Sequence, residues 1–269
     1  MNLEDQIAQI REDGFCILEG VIPGEDVDRV RQSVEATVEE HCSKSPPENV
    51  GFVPSLIVHD QSFATYLADE RLLGIAEAML GKHIRISFTS AIINLTGNKR
   101  GDWHADWPFN QRNAGHFPEP YPNIVAHLTS LWMLSPFTSE NGGTLIFPGS
   151  HLLNCNPTGT HEHPPAAPLP DEIHVTGSAG SVVVMDSRLW HAASPNRTDH
   201  PRTALAVRFA PWWLNVNVLM PGSEDRRRIE DESGKIENIV PAVPKNVFDG
   251  LPEKVKPLYL HWVREAGEG

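Results

Sequence analysis

The chain has 269 residues, 40% of them hydrophobic and 21% charged, which is enough apolar content for a sizeable core. Its formal net charge of −13 argues against nucleic acid or an anionic membrane surface as the main partner, because both select a basic footprint. No apolar run approaches the ~20 residues of a membrane span. Acids at Glu4 and Asp5 stand where a signal peptide would carry basic residues, so a soluble, cytoplasmic protein is expected. Cys16, Cys42 and Cys155 are odd in number and far apart, which points to neither a disulfide framework nor a cysteine zinc site.

The first 80 residues read as helical with one short strand. Phe15 to Leu18 is a compact apolar run after Asp13-Gly14, suited to a strand. Val27, Val30, Val34 and Val38 then recur at helical spacing behind Pro23-Gly24. Phe63, Leu67, Leu72, Ile75, Met79 and Leu80 predict one further helix or two, stopped by Gly81. From Ile84 the period changes to two: Ile84, Ile86 and Phe88 alternate with Arg85, Ser87 and Thr89. Strand-like runs follow at Val125 to Leu134, Thr144 to Phe147, Ser181 to Asp186 and Thr203 to Phe209.

Asn141-Gly142-Gly143, Pro148-Gly149 and Gly177 mark turns between these runs. Helices first and short strands afterwards predict a mainly β jelly roll in a single domain. A helical buttress would span about 1–82, the barrel core about 83–213, and a C-terminal arm about 214–269. The arm would pack on the domain or on a second subunit, an arrangement a homodimer would use. Residues 152–172, rich in proline, suit a lid or a solvated excursion.

The chemistry centres on Asp102-Trp103-His104-Ala105-Asp106. On a strand, residues i and i+2 point the same way, so His104 and Asp106 would offer an imidazole and a carboxylate to one centre. A second histidine would complete the 2-His-1-carboxylate facial triad that holds Fe(II) with three positions open. The spacing alone is weak, since a chain with 13 histidines meets it by chance. The ordered set is more specific: His-x-Asp, a glycine turn, the buried-strand run Ser181 to Asp186, His191, and Arg202 eleven residues later. A guanidinium there can grip a dicarboxylate through a charge-assisted fork.

These residues, with Glu140 to His151 (ENGGTLIFPGSH), resemble the phytanoyl-CoA dioxygenase-like family of 2-oxoglutarate oxygenases, from Asp13 to about Trp213. The resemblance implies a double-stranded β-helix, Fe(II) on His104, Asp106 and His191, and the distal carboxylate of 2-oxoglutarate on Arg202. It also places Asn94 and Trp132 beside the cosubstrate. Many relatives carry a hydroxyl residue two positions after the distal histidine, where this chain has Ala193; Ser194 or water would take its part.

The implied reaction couples decarboxylation of 2-oxoglutarate by dioxygen to oxidation of an unactivated C–H bond of a small-molecule substrate. Hydroxylation is the leading expectation, with desaturation, epoxidation or ring formation as alternatives that share every ligand. A cupin-like metal protein without oxygen chemistry is the rival from another class, and Arg202 weighs against it. A carboxylate at position 106 leaves no vacancy for halide, so halogenation is not expected. His151 reads as structural, and His161 and His163 as a solvated loop. Trp190, Trp212 and Trp213 suit either core or substrate pocket.

Overall fold

The structure is a computed structural model that describes residues 1–42, 47–107, 119–153, 155–157, 165–231 and 239–265. Helix α1 (Leu3–Asp13) opens with a capping box at Asn2 and closes on Gly14, whose left-handed φ of 92° only glycine adopts cheaply. Strand β1 (Phe15–Leu18) leads to α2 (Gly24–His41), β2 (Val50–Pro54), the one-turn α3 (Leu56–His59) and α4 (Glu70–Leu80). The barrel strands are β3 (Arg85–Asn94), β4 (Leu128–Met133), β5 (Leu145–Ile146), β6 (Ile173–His174), β7 (Val182–Asp186), β8 (His191–Ala192) and β9 (Arg202–Ala210).

Two antiparallel sheets form the jelly roll. The larger runs β1-β7-β4-β9-β3-β2 and the smaller β6-β5-β8. One face of the large sheet is covered by the helices. Ile10 of α1, Val30 and Val34 of α2, and Leu72 and Ile75 of α4 form one buried cluster with Leu128, Trp132, Val184, Leu205 and Val207. The opposite face supplies the barrel interior, where Leu131, Met133, Val183, Met185, Ala204 and Ala206 meet Phe137, Ile146 and Leu189. Both faces are therefore dry, and that is why the runs at 125–134 and 181–186 show no alternation.

The expectation of one strand in the first 80 residues is corrected: β2 is a second, paired antiparallel to β3. It is an edge strand of five residues containing Gly51 and Pro54, both of which weaken a strand signature. Gly51 is needed because a Cβ there would meet Val38 Cγ1 at 2.7 Å, so α2 lies close over the strand. A second departure is a bulge between Ile86 and Phe88, which leaves Ser87 without a cross-strand partner. Ile86 faces the helices, and beyond the bulge Phe88, Ser90, Ile92 and Asn94 oppose Arg208, Ala206, Ala204 and Arg202.

The C-terminal arm returns to the same helical side. Val240, Val243, Leu251, Val255, Leu258, Tyr259 and Trp262 join the main cluster, and β10 (Val243–Pro244) pairs with β11 (Val263–Arg264). Among the described residues no helix is long and apolar enough to cross a membrane.

Candidate metal centre

The His-x-Asp segment runs along the edge of the small sheet. His104 and His191 exchange backbone hydrogen bonds of 3.0 and 2.9 Å, so this segment extends the sheet next to β8. Alternation then sorts the side chains. Trp103 and Ala105 join Trp190, Ala192, Leu145 and Leu169 in a small apolar cluster, while His104, Asp106 and His191 converge elsewhere. One ligand atom from each of these three lies within 4.8 Å of the others. His191 Nε2 stands 3.7 Å from Asp106 Oδ2, and the two imidazole centroids are 4.2 Å apart.

The ring nitrogens are pre-assigned. His104 Nδ1 lies 2.9 Å from the Asp102 carbonyl, and His191 Nδ1 lies 2.9 Å from that of Leu189. A carbonyl only accepts, so each Nδ1 carries the proton and each Nε2 keeps a free lone pair. Burial, reinforced by His191, pushes the His104 imidazole down to about 4, so it is neutral at physiological pH. Burial alone would raise the Asp106 carboxyl. The Arg208 cation, the two histidines and the Thr129 hydroxyl outweigh it and hold the group well below the carboxylate range. Two imidazoles that turn Nε2 toward a common point and one carboxylate beside them fit a divalent iron.

Arg202 opens β9 and is 3% exposed. Its Nε donates to the Gly142 carbonyl at 3.2 Å, and its guanidinium lies 4.5 Å over the Phe137 ring. Among the described residues no carboxylate is within ion-pair distance of it. Burial lowers its pKa to about 10, which leaves it charged. The Gly142 turn fixes this hold: its φ is 84°, and a Cβ there would press on the Ser194 carbonyl at 2.7 Å. Asn94 stands directly opposite Arg202 on the same face, buried, with both side-chain atoms lacking a hydrogen-bond partner. An orphaned amide beside an unpaired guanidinium suits a polar ligand that arrives from outside.

Trp132 does not join this group. It lies on the helix-facing side of β4, where its ring is fully buried in the main cluster and its Nε1 donates to Ser130 Oγ at 3.0 Å. The expectation that it lines the cosubstrate pocket is thus corrected. Its neighbours of opposite parity, Thr129, Leu131 and Met133, face the barrel interior. Trp190 packs against Phe147 in the small outer cluster, and Trp212 and Trp213 are exposed. His151 is buried with Nε2 3.2 Å from the Arg11 carbonyl. Ser194 is buried and its carbonyl accepts from Asn98 Nδ2.

Much of the segment 152–172, including His161 and His163, lies outside the described residues. Its end is strapped to the segment that carries His104 and Asp106. Trp103 donates from its backbone N–H to the Pro165 carbonyl and from Nε1 to that of Ala167, each at 2.8 Å. Arg100 grips Glu172 through a fork of 2.9 and 2.6 Å and lies over the Trp103 ring. Glu172→Gln should loosen this strap. We expect faster amide exchange at Trp103 and around 165–172, with global stability lowered by only about 1 kcal/mol for such a partly exposed pair. Unchanged exchange at Trp103 would show that the strap holds without the ion pair.

Sequence reasoning missed the polar residues behind Asp106. Thr129 Oγ1 donates to Asp106 Oδ2 at 2.8 Å, and Arg208 Nη2 to Oδ1 at 2.6 Å. Ser187, His127 and Ser87 continue the network. A signal existed: Arg208 follows Arg202 by six residues, which puts two arginines on one face of an otherwise apolar strand.

A jelly roll with a His-Asp-His cluster and a buried, unpaired arginine on the strand after the second histidine defines the class of iron- and 2-oxoglutarate-dependent oxygenases. The chain belongs to the phytanoyl-CoA dioxygenase (PhyH) family, whose model matches residues 10–204. It is 28% identical over 224 residues to dioxygenase af480 of Aspergillus fumigatus, covering 78% of this chain and 67% of that one. To the ectoine dioxygenase of Nocardia farcinica it is 25% identical over 236 residues, 76% of each chain. The fold is similar to that of the epimerase SnoN, solved with Fe3+, alpha ketoglutarate and nogalamycin RO. The TM-score is 0.63 at 21% identity, covering 78% of this chain and 83% of SnoN.

Proposed function

We propose that the protein oxidises an unactivated C–H bond of a small molecule, most directly by hydroxylation, with Fe(II) held by His104, Asp106 and His191 and the distal carboxylate of 2-oxoglutarate on Arg202. The observation that carries this reading is one barrel interior holding both a three-residue ligand set and an unpaired buried guanidinium. When bound, iron with 2-oxoglutarate and dioxygen supplies the oxidant. The chain's own residues do the rest. The two Nδ1–H bonds aim the imidazoles, Arg202 and Asn94 fix the cosubstrate's far end, and the dry interior face of β4, β7 and β9 excludes water.

Ala204 and Ala206 lie on the inner β9 face between Arg202 and Arg208, within the apolar cluster of the barrel interior. The substrate is proposed to be a free small molecule and not a CoA thioester, because a phosphate-rich handle is poorly matched to a chain of net charge −13. SnoN, an epimerase, shares the fold, so a different fate of the oxidised carbon on the same residues is the alternative reading. Succinate release from 2-oxoglutarate and Fe(II), screened over a small-molecule library, tests the function, and product analysis separates hydroxylation from the alternative. No substrate-stimulated succinate from a metal-loaded, folded protein would overturn it.

A further inference from the structure

We propose that Arg208 is a positioning residue that keeps Asp106 to a single metal-binding oxygen and so preserves an open position for dioxygen. The inference rests on the reading of His104, Asp106 and His191 as iron ligands. Asp106 is gripped at both oxygens by different donors. Oδ2, the oxygen turned toward His191 Nε2, accepts from the Thr129 hydroxyl, and Oδ1 accepts from the Arg208 guanidinium. A carboxylate with two free oxygens can chelate a cation with both. Here the second oxygen is engaged by a cation of the protein itself, and chelation would require breaking that charge-assisted bond.

The grip is built into the fold. The Arg208 guanidinium lies over the Phe88 ring at 4.6 Å, directly opposite on β3 beyond the Ser87 bulge. The polar groups then close a circuit. Thr129 Oγ1 meets Ser187 Oγ at 2.9 Å, Ser187 Oγ meets His127 Nδ1 at 2.8 Å, and His127 Nε2 meets Ser87 Oγ at 2.8 Å. Ser87 Oγ donates back to the Arg208 carbonyl at 3.3 Å. The Ser187 carbonyl also accepts from the backbone N–H of Asp106 at 2.7 Å and of Trp107 at 3.0 Å. The strand that carries the ligand and the strand that carries the guanidinium are thus tied through one set of hydroxyls.

The chemical need follows from the count of positions. Three protein ligands leave three of six sites, of which 2-oxoglutarate takes two and dioxygen one. A second oxygen from Asp106 would occupy the last.

The test compares the wild type with Arg208→Met, which keeps the stem and removes the charge, and with Arg208→Lys. Each protein is loaded anaerobically with Fe(II) and 2-oxoglutarate and titrated with nitric oxide, a surrogate for dioxygen, by electron paramagnetic resonance. Partners of this kind change affinity or activity by ~10–100-fold. Arg208→Met is expected to hold Fe(II) and 2-oxoglutarate within about threefold of the wild type, yet to bind nitric oxide at least about tenfold more weakly. Arg208→Lys should recover much of the loss.

Wild-type nitric oxide affinity in Arg208→Met would overturn the proposal. So would metal loss as severe as that of His191→Ala, which would make Arg208 a scaffold of the site. Should Arg208→Met fail to fold, Arg208→Gln, which keeps an N–H donor, carries the same measurement. A wild type that binds neither Fe(II) nor 2-oxoglutarate would instead overturn the proposed function on which this rests.

Discussion

Replacing either histidine of the cluster by alanine should abolish turnover while leaving the barrel folded. Removing a partner that merely orients a ligand costs ~10–100-fold in metal affinity or activity, and removing the ligand itself costs more. His104→Ala and His191→Ala should therefore purify with little iron and release no more succinate than a metal-free control. The fold should tolerate both. Each imidazole makes one hydrogen bond, to a carbonyl two residues earlier, worth about 1 kcal/mol. The backbone pairing of His104 with His191 survives truncation of either side chain. Iron content, circular dichroism and turnover measured on the same preparations check the result. Full activity in either variant would require a different ligand set.

Arg202 predicts an outcome of unusual sign. A buried guanidinium with one hydrogen bond to protein and no anionic partner among the described residues is a net cost to the free fold. Arg202→Met should accordingly leave the protein without cosubstrate as stable as the wild type, or raise its stability by up to about 2 kcal/mol. The same change should weaken 2-oxoglutarate binding by roughly a hundredfold, because a buried charge-assisted pair is worth about 2–5 kcal/mol. Thermal unfolding with and without 2-oxoglutarate reads both effects. The wild type should be stabilised by the cosubstrate and Arg202→Met should not. A variant that is less stable when free yet equally stabilised by 2-oxoglutarate would place the clamp elsewhere.

How far the site was legible depended on which strands alternate. His104 and Asp106 lie on an edge where Trp103 and Ala105 take the other side, so spacing and chemistry agreed. Trp132 sits in β4, whose six residues are all buried, and nothing in Leu128 to Met133 says which parity faces the interior. The same loss of contrast hid Thr129 and His127, polar residues inside an apolar run. The barrel strands were recognisable as short apolar runs between glycine turns. Strand β2 was not, because Gly51 serves a close approach by α2 and Pro54 ends an edge. Arg208 needed the third dimension: its partner Asp106 is 102 residues away in sequence.

The extra residue at Ser87 bears on how this pocket tolerates change. Up to Ile86 the strand matches β9 in one frame, and from Phe88 onward in the other. Removing Ser87 would leave the pairs on either side in place, Ile86 with Phe209 and Phe88 with Arg208, and would close the ladder between them. Ile92 and Asn94 would still oppose Ala204 and Arg202 on the inner face. What would go is the hydroxyl that joins His127 to the Arg208 carbonyl. The wall from Phe88 to Asn94 is therefore set by its pairing with β9, and the strand ahead of it can lose one residue without turning a side chain.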